Sequence, residues 1–334
     1  MPRVSVVVPN FNHARFLDRR LTSVLSQTLR DVELLFLDDA STDDSLRVFD
    51  GHAPDPRVRC IRNDTNSGSA FAQWNRGVAA ATGELVWIAE SDDDADARLL
   101  ERLVAALDAN PRVGLAFCQS VTIDGAGEVT GSCADWTERL WPGRFRADFV
   151  NDGRDEIRRH LLRLNTIFNA SAVVFRREAF RRAGGADTTF RLCGDWMTWI
   201  SMLLESDVAF VAEPLNRFRL HEETVRHRAG RDGVLAEEAY RVTGRALRAL
   251  GADDALVEEA CEARMAGWMQ FVQTVRAPVE AHRRIFSAAK EADPRIRRRL
   301  AKALARHGLD RAGLLGPVLA AARRVSSTRG RARS

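Results

Sequence analysis

Four carboxylates fall within five residues in Glu90-Ser91-Asp92-Asp93-Asp94, directly behind the short apolar run Leu85-Val86-Trp87-Ile88-Ala89. That run reads as a buried strand, so the acids crowd its C-terminal end, where open α/β sheets put their ligands. Like charges this close call for a positive partner. A hard divalent cation carrying a diphosphate meets the need, because Mg²⁺ binds through one or two carboxylates plus phosphate oxygens. Taken alone, the stretch fits equally well a solvated acidic loop before a helix starting near Ala97, since acids favour helix N-termini. A second acidic pair, Asp38-Asp39, follows another apolar run, and Asp195 stands at the head of a third candidate element.

The elements that must position these groups follow from periodicity. Val4–Pro9 barely alternates and reads as a strand buried on both faces. Pro9-Asn10-Phe11-Asn12-His13 breaks it as a loop. Phe16, Leu17, Leu21, Val24 and Leu25 recur at helical spacing, which predicts an amphipathic helix over 14–27. A strand is expected over 32–37, then a helix through Phe49 capped by Ser41 or Thr42. A third strand (58–61), a small-residue helix (71–81) ended by Gly83, and a fourth strand (85–89) complete the series. Alternating strands and helices predict a doubly wound, mostly parallel α/β sheet. In such a sheet the loops after the strands share one edge, so Pro9–Asn12, Asp38-Asp39 and Glu90–Asp94 should line one crevice. No GxGxxG and no GxxxxGK[ST] occurs, which argues against dinucleotide oxidoreductases and P-loop enzymes.

Further along, a helix is expected over 99–107, a strand over 113–120, a turn at Asp124-Gly125 and an irregular stretch over 132–155 containing Trp136 and Trp141. Helices are expected over 157–164, 176–183 and 197–205, and extended segments over 171–175, 208–211 and 214–220. From Leu235 onward the chain reads as mostly helical, with breaks near Gly251, Pro278, Pro294 and Gly316-Pro317. The tail from Ser326 is Arg, Ser and Gly and is expected to be disordered.

The 334 residues, 45% hydrophobic and 29% charged, have the make-up of an ordinary globular protein. No apolar run approaches the roughly 20 residues needed to span a bilayer, and no signal peptide is recognised. The five cysteines are scattered without a CxxC pair, which indicates neither a disulfide framework nor a zinc site and fits a reducing cytoplasm. The net charge of +4 hides an asymmetry: from Arg226 onward there are 23 Lys and Arg against 12 Asp and Glu, and before it 27 against 34. The basic C-terminal third could lie on acidic lipid, support a dimer, or be helices with solvated arginine faces.

Several motifs, in order and at ordinary spacing, resemble the family 2 glycosyltransferases. They are Val4-Ser5-Val6-Val7-Val8-Pro9-Asn10-Phe11-Asn12, Ser23-Val24-Leu25-Ser26-Gln27-Thr28 and Leu37-Asp38-Asp39-Ala40-Ser41-Thr42-Asp43. Asn66-Ser67-Gly68, Trp74-Asn75-Arg76-Gly77 and Ala81-Thr82-Gly83-Glu84 follow, and Glu90-Ser91-Asp92-Asp93 matches the family's DxD-type metal motif. The likeness covers residues 3 to about 225. It implies a GT-A fold, a nucleotide-sugar donor (UDP- or dTDP-linked, GDP less often) and Mg²⁺ or Mn²⁺. Carried across, Pro9 and Phe11 would line base and ribose, Asp39 would accept from the base ring N–H, and Asn75 would belong to the donor site. Glu90 stands where the family has the first Asp of its DxD, near the ribose. Asp92 and Asp93 are both metal-ligand candidates, and Asp92 is counted with the donor as well.

The resemblance also supplies a base. Inverting transfer needs a group that deprotonates the acceptor hydroxyl as it attacks the anomeric carbon. Asp195 resembles the Asp of the family's Glu-Asp motif, with Gly194 in place of the Glu. Capping its own helix is the plainer role for it. Trp196 and Trp199 could stack on a sugar or fill the core. Arg217-Phe218-Arg219-Leu220-His221 resembles a downstream Arg-x-His segment, which makes His221 a candidate metal or diphosphate partner, with Thr224 and Arg226 beside the phosphates. Asn169-Ala170-Ser171 matches a segment near the acceptor side without an assigned role.

The expected organisation is a GT-A domain over 1–225, a basic helical region over 226–325 and a tail over 326–334. The expected function is metal-dependent transfer to a hydroxyl of a glycan, glycolipid, protein or natural-product acceptor, in the cytoplasm or against the inner membrane face. A nucleotidyltransferase would need a glycine-rich, lysine-bearing loop after the first strand, and the whole chain has only Lys290 and Lys302. The other alternative is a non-catalytic module that keeps nucleotide affinity or binds a membrane or polyanion through the basic region. Nucleic acid is not expected as a partner, because no interleaved aromatic pattern accompanies the arginines.

Overall fold

The structure, a computed structural model, describes residues 1–167, 169–221, 232–275 and 277–307. The expected positions Thr224 and Arg226, the Gly316-Pro317 break and the tail from Ser326 lie outside them. The described residues form two compact units.

The first unit is an α/β sheet. Its strands are β1 (Val4–Asn10), β2 (Val32–Asp38), β3 (Val58–Arg62), β4 (Leu85–Ile88), β5 (Asp94–Ala95), β6 (Val113–Ile123), β7 (Val129–Ser132), β8 (Phe149–Asn151), β9 (Val173–Arg176) and β10 (Asp207–Arg219). The order is β3-β2-β1-β4-β9-β6-β10-β5, with β7 on β6 and β8 on β10. The pairs β2–β3, β1–β2, β1–β4 and β6–β10 are parallel, whereas β9 runs antiparallel to both β4 and β6. The chain winds outward from β1 to β3 and returns to β4 on the other side of β1. The order therefore reverses at β1 and β4, the switch point where such sheets open a ligand crevice.

Among the described residues eight α-helices belong to this unit: α1 (Ala14–Leu25), α2 (Ser45–Asp50), α3 (Ala70–Ala80), α4 (Leu99–Ala109), α5 (Cys133–Leu140), α6 (Gly153–Glu156), α7 (Arg177–Arg182) and α8 (Gly194–Leu203). Every residue of β1 is buried, in keeping with an apolar run that does not alternate. Leu17, Leu21 and Val24 of α1 pack with Val6, Phe36 and Trp87 in one core. Arg20 lies on the same stripe and is fully buried.

Four expectations change. Ser41 and Thr42 do not cap α2, whose N-cap is Asp44; Ser41 Oγ instead takes the Asn12 N–H and the Asn10 amide, at 3.1 and 3.0 Å. The stretch 132–155 is not irregular: Ser132 caps α5 by accepting from Ala134 N–H, and β8 follows. The helix over 157–164 is a five-residue π-helix, Ile157–Leu161. The two extended segments at 208–220 are one strand, β10, with register shifts against β6 near Pro214, where a missing N–H interrupts the ladder.

The second unit comprises 158–164, 190–193 and the described residues from 232. Its helices are α9 (Val234–Leu250), α10 (Asp254–Thr274), α11 (Val279–Ala292) and α12 (Ile296–His307). Gly251 ends α9 at φ 60, with the Gly251 and Ala252 N–H groups returning to Arg248 and Leu247 carbonyls. Asp253 caps α10 by accepting from Leu256 N–H. Trp268, Met269, Ile285, Phe286 and Leu300 form its core. The buried Arg299 is neutralised by Asp293 at 2.7 Å and by both oxygens of Glu258 at 2.9 Å, while Arg297, Arg298 and Lys302 are exposed. Among the described residues no helix is long and apolar enough to cross a membrane.

Candidate active site

The loops after β1, β2 and β4 meet at the switch point. The first two are laced together. Asn12, at φ 58, accepts from Thr42 N–H at 2.8 Å and Asp43 N–H at 3.3 Å. Asp43 accepts from Ala14 N–H at 2.9 Å, which ties the start of α1 to the β2 loop. Ala40 also sits in the left-handed region, at φ 60. A Cβ there costs roughly 1–2 kcal/mol, so the surrounding bonds hold the loop against local preference. Pro9 is buried and Phe11 is 43% exposed.

The acidic stretch is neutralised largely from within. Arg20 donates to the Glu90 carbonyl at 2.8 Å and to Ser171 Oγ at 3.2 Å, and stands 4.0 Å from Asp93. Arg219, also buried, donates from Nε to the Asp92 carbonyl at 2.6 Å and from its backbone N–H to Asp93 at 2.8 Å. Asp94 accepts from Arg19 at 2.7 Å and lies 3.5 Å from Arg217. Asp93 receives the Asn169 amide at 2.9 Å as well. Burial and the adjacent Asp92 charge push Asp93 up to about 6 despite Arg20. Glu90 accepts the Trp74 indole N–H at 2.8 Å, and burial followed by the charge of Asp92 pushes it up to about 8.

Asp92 is the exception. Its carboxylate meets His221 Nε2 at 3.1 Å, across 129 positions of sequence. Burial works against its charge, but the His221 hydrogen bond and the fields of His13 and His221 hold it below the usual carboxylate range. His13 completes the group: one ligand-type atom from each of His13, Asp92 and His221 lies within 4.8 Å of the others. Among the described residues this is the one cluster of three such side chains that could hold a metal ion. Two imidazoles and a carboxylate are a donor set that fits a divalent cation. Asp93, the other carboxylate of the expected pair, is turned to Asn169 and Arg219 instead.

Asp39 is pinned by its neighbours. Oδ1 accepts from Ser67 N–H at 2.9 Å, from Gln73 at 2.9 Å and from Asn63, while among the described residues Oδ2 accepts the Ser67 hydroxyl alone, at 2.8 Å. A carboxylate oxygen has about two lone pairs, so Oδ2 keeps capacity for one more donor. Asn75 clasps Ala186 in both directions: its amide N–H donates to the carbonyl at 2.8 Å and its oxygen accepts the N–H at 2.9 Å. That tie holds α3 to the segment after α7 and occupies much of the amide expected at the donor.

Asp195 lies in the first turn of α8. It accepts from its neighbour Trp196 N–H at 2.6 Å and from the Asn165 side-chain amide at 3.2 Å. Trp199 is fully buried between Trp74 and Phe175, and Trp196 is nearly so, so both are core.

Sequence reasoning missed His13, Arg20, Arg219 and Asn165. Arg20 left a signal, a charge on the apolar stripe of α1 three residues after Leu17. Arg219 stood in the Arg-x-His segment without a role, and His13 and Asn165 left no signal, since only the fold brings them to Ser91 and Asp195, 78 and 30 positions away.

Residues 5–184 match the family model described as glycosyl transferase family 2. Over 126 residues the chain is 38% identical to an uncharacterized glycosyltransferase of Nostoc sp., which covers 37% of this chain and 38% of that protein. It is 29% identical over 244 residues to an uncharacterized protein of Mycobacterium tuberculosis, covering 70% of this chain and 73% of the relative. The chain thus spans well under half of the Nostoc protein but most of the mycobacterial one. Staphylococcus aureus TarS in complex with UDP-GlcNAc superposes with a TM-score of 0.64 at 16% identity, over 86% of this chain and 79% of TarS. The mannosyltransferase PcManGT of Pyrobaculum calidifontis, in complex with GDP-Man and Mn²⁺, gives 0.56 at 20% identity, over 100% of this chain and 81% of that one. At such identities these two structures speak for the GT-A fold alone. The family match spans more than half of the sequence and takes in the loops after β1, β2 and β4, so this chain belongs to glycosyl transferase family 2.

Proposed function

We propose that the enzyme moves a sugar from a nucleoside-diphosphate donor, UDP or dTDP in the first instance, to an acceptor hydroxyl, with a divalent cation and with inversion. The observation that carries this reading is the meeting of Asp92 and His221 at the β1/β4 switch point, beside a loop whose other acids already have internal partners. Asp92 and His221 would hold the cation, Mg²⁺ or Mn²⁺. When bound, the cation supplies Lewis-acid stabilisation of the departing diphosphate.

The chain's own residues do the rest. The exposed ring of Phe11, with Pro9 behind it, offers an apolar surface to base and ribose. The spare lone pair on Asp39 Oδ2 can take a base N–H. Glu90, whose carboxyl is pushed up by burial and by the Asp92 charge, can meet the ribose hydroxyls. Asp93 and Asn75 serve by holding loops, Asp93 through Asn169 and Arg219, Asn75 through Ala186.

Asp195 is the base of this reading. Its carboxylate takes the acceptor hydroxyl proton as the oxygen attacks the anomeric carbon, and the nucleoside diphosphate leaves from the opposite face. Asn165 fixes the carboxylate for that task. The acceptor is a glycan, glycolipid, protein or natural product, met in the cytoplasm. Residues 1–225 carry the transfer, and the basic helices beyond them serve membrane contact or self-association.

Asp195→Asn tests the base. It should lower sugar transfer by roughly 10²–10⁴-fold while nucleotide binding, read by calorimetry, stays intact. Retained turnover in this variant would remove Asp195 from the mechanism.

A further inference from the structure

We propose that His13 is a resident metal ligand, so that two imidazoles and one carboxylate hold the cation and the site selects Mn²⁺ over Mg²⁺. The inference rests on the reading that a divalent cation binds beside Asp92 and His221. It adds a third ligand from a different loop and a preference between metals.

His13 occupies the N-cap position of α1 yet makes no side-chain capping bond, so capping does not explain its orientation. Its Nδ1 lies 2.8 Å from the hydroxyl of Ser91, a buried residue of the acidic stretch. A ligating histidine commonly has its second nitrogen held in this way, which fixes ring orientation and tautomer. The bond occupies Nδ1, so Nε2 is the nitrogen that would meet a ligand, in the tautomer whose Nδ1–H donates to Ser91. The His13 and His221 rings stand edge to face with centroids 6.0 Å apart, so the pair is packed and directed before any ion arrives.

The dimensions are those of a site that closes slightly on loading. Ligand atoms about 2.1 Å from a common ion lie about 3 Å apart when adjacent and about 4 Å apart when opposed. The observed spread reaches 4.8 Å, so contraction by under 2 Å brings all three onto one ion. Three protein ligands leave room for diphosphate oxygens and water.

The two histidines enter on different terms. Arg15 approaches His221 Nδ1 at 3.3 Å. A guanidinium has only donors, so this Nδ1 accepts, and the His221 proton is on Nε2, directed at Asp92. His221 must exchange that tautomer to ligate through Nε2, while Ser91 fixes the His13 ring in place.

Nitrogen donors decide the metal. Mg²⁺ requires near-ideal octahedral geometry and keeps oxygen ligands and its waters. Imidazole raises affinity for transition ions, along which Mn²⁺ is the weakest binder but still accepts nitrogen. Among the described residues Asp92 is the one carboxylate of this cluster, and such a donor set should favour Mn²⁺.

The test is Mn²⁺ binding to the full chain, counted by electron paramagnetic resonance with Mn²⁺ alone and with Mn²⁺ plus UDP. Spin-echo modulation from directly bound ¹⁴N serves as a second readout. Wild type should show two coupled nitrogens in the UDP state and resist displacement by a tenfold excess of Mg²⁺. His13→Ala, with folding checked by circular dichroism, should lose one nitrogen and bind Mn²⁺ at least tenfold more weakly. Ser91→Ala should weaken binding by a smaller factor without losing a nitrogen. Unchanged affinity and two nitrogens in His13→Ala, or Mg²⁺ displacing Mn²⁺ at equal concentration, overturns the proposal. Sugar transfer persisting through either result would leave the transferase reading standing. Wild type that takes up no Mn²⁺ in either state sinks both the ligand assignment and the metal-dependent reading.

Discussion

The ring of Phe71 fills the space that a side chain at Gly194 would need: a Cβ added to Gly194 would press on three of its atoms closer than van der Waals contact allows. Phe71 also meets Trp74 edge to face, centroids 5.2 Å apart, and Trp74 holds Glu90. Gly194, which stands where the resemblance implies a Glu, is thus matched by an aromatic group on α3, and the pair of residues couples the head of α8 to the acidic loop.

Restoring the acid by Gly194→Glu should therefore destabilise the protein by roughly 1–3 kcal/mol through overpacking. Adding Phe71→Ala should cost less than the sum of the two single changes, because the second makes room for the first. Urea unfolding of the four proteins in this cycle measures the coupling. Strict additivity would show that residue 194 and Phe71 do not compete for space.

Arg20 is the internal counter-ion of the acidic stretch. Arg20→Met removes its charge while Asp93 remains buried, and stability should fall by roughly 3–5 kcal/mol. Arg20→Met with Asp93→Asn should recover part of that loss. A single variant as stable as wild type in chemical denaturation would mean that Asp93 draws its compensation from Arg219 and Asn169 alone.

Glu90 gives a pH signature. Burial raises its folded-state value from near 4.5 to about 8, so the folded protein binds this proton more tightly than the unfolded chain does. Its effect on stability is neutral below pH 4.5, grows unfavourable as pH rises, and levels off above pH 8. In chelated protein, Glu90→Gln should melt close to wild type at pH 4.5 and higher than wild type at pH 8. Parallel melting curves across this range would show that Glu90 is ionised at neutral pH.

Much of this molecule is legible in its sequence, for physical reasons. The largely apolar runs of β1, β2 and β4, interrupted by Ser5 and Glu33, are short and bounded by polar loops and so read as buried strands, and their order fixes the edge where the loops collect. Local rules do not reach the pairing of Asp92 with His221 at 3.1 Å or of Asp195 with Asn165, because such contacts depend on how β10 and the 165–169 segment return to the sheet. The acidic run also looked more in need of an outside cation than it is. Each carboxylate is visible in the sequence, but Arg20 beside Asp93 and Arg19 and Arg217 beside Asp94 are distant from them along the chain. Asn75 was placed at the donor by its motif, yet its amide bonds Ala186, a tie that only the folded backbone reveals. The stretch 132–155 read as irregular because α5 is short and held by the Ser132 cap rather than by a long apolar stripe.

The account stands on a metal-dependent nucleotide site at the β1/β4 switch point, and its most direct test is thermal stabilisation by UDP, dTDP and GDP with Mn²⁺ or with chelator, in wild type and Asp92→Asn. A ligand that binds only the native state raises the melting temperature according to its concentration and affinity. The account predicts an upward shift with at least one of the three, dependent on Mn²⁺ and lost in Asp92→Asn. Absence of a shift with all three nucleotides in the presence of Mn²⁺, or an equal shift in the variant, would contradict it.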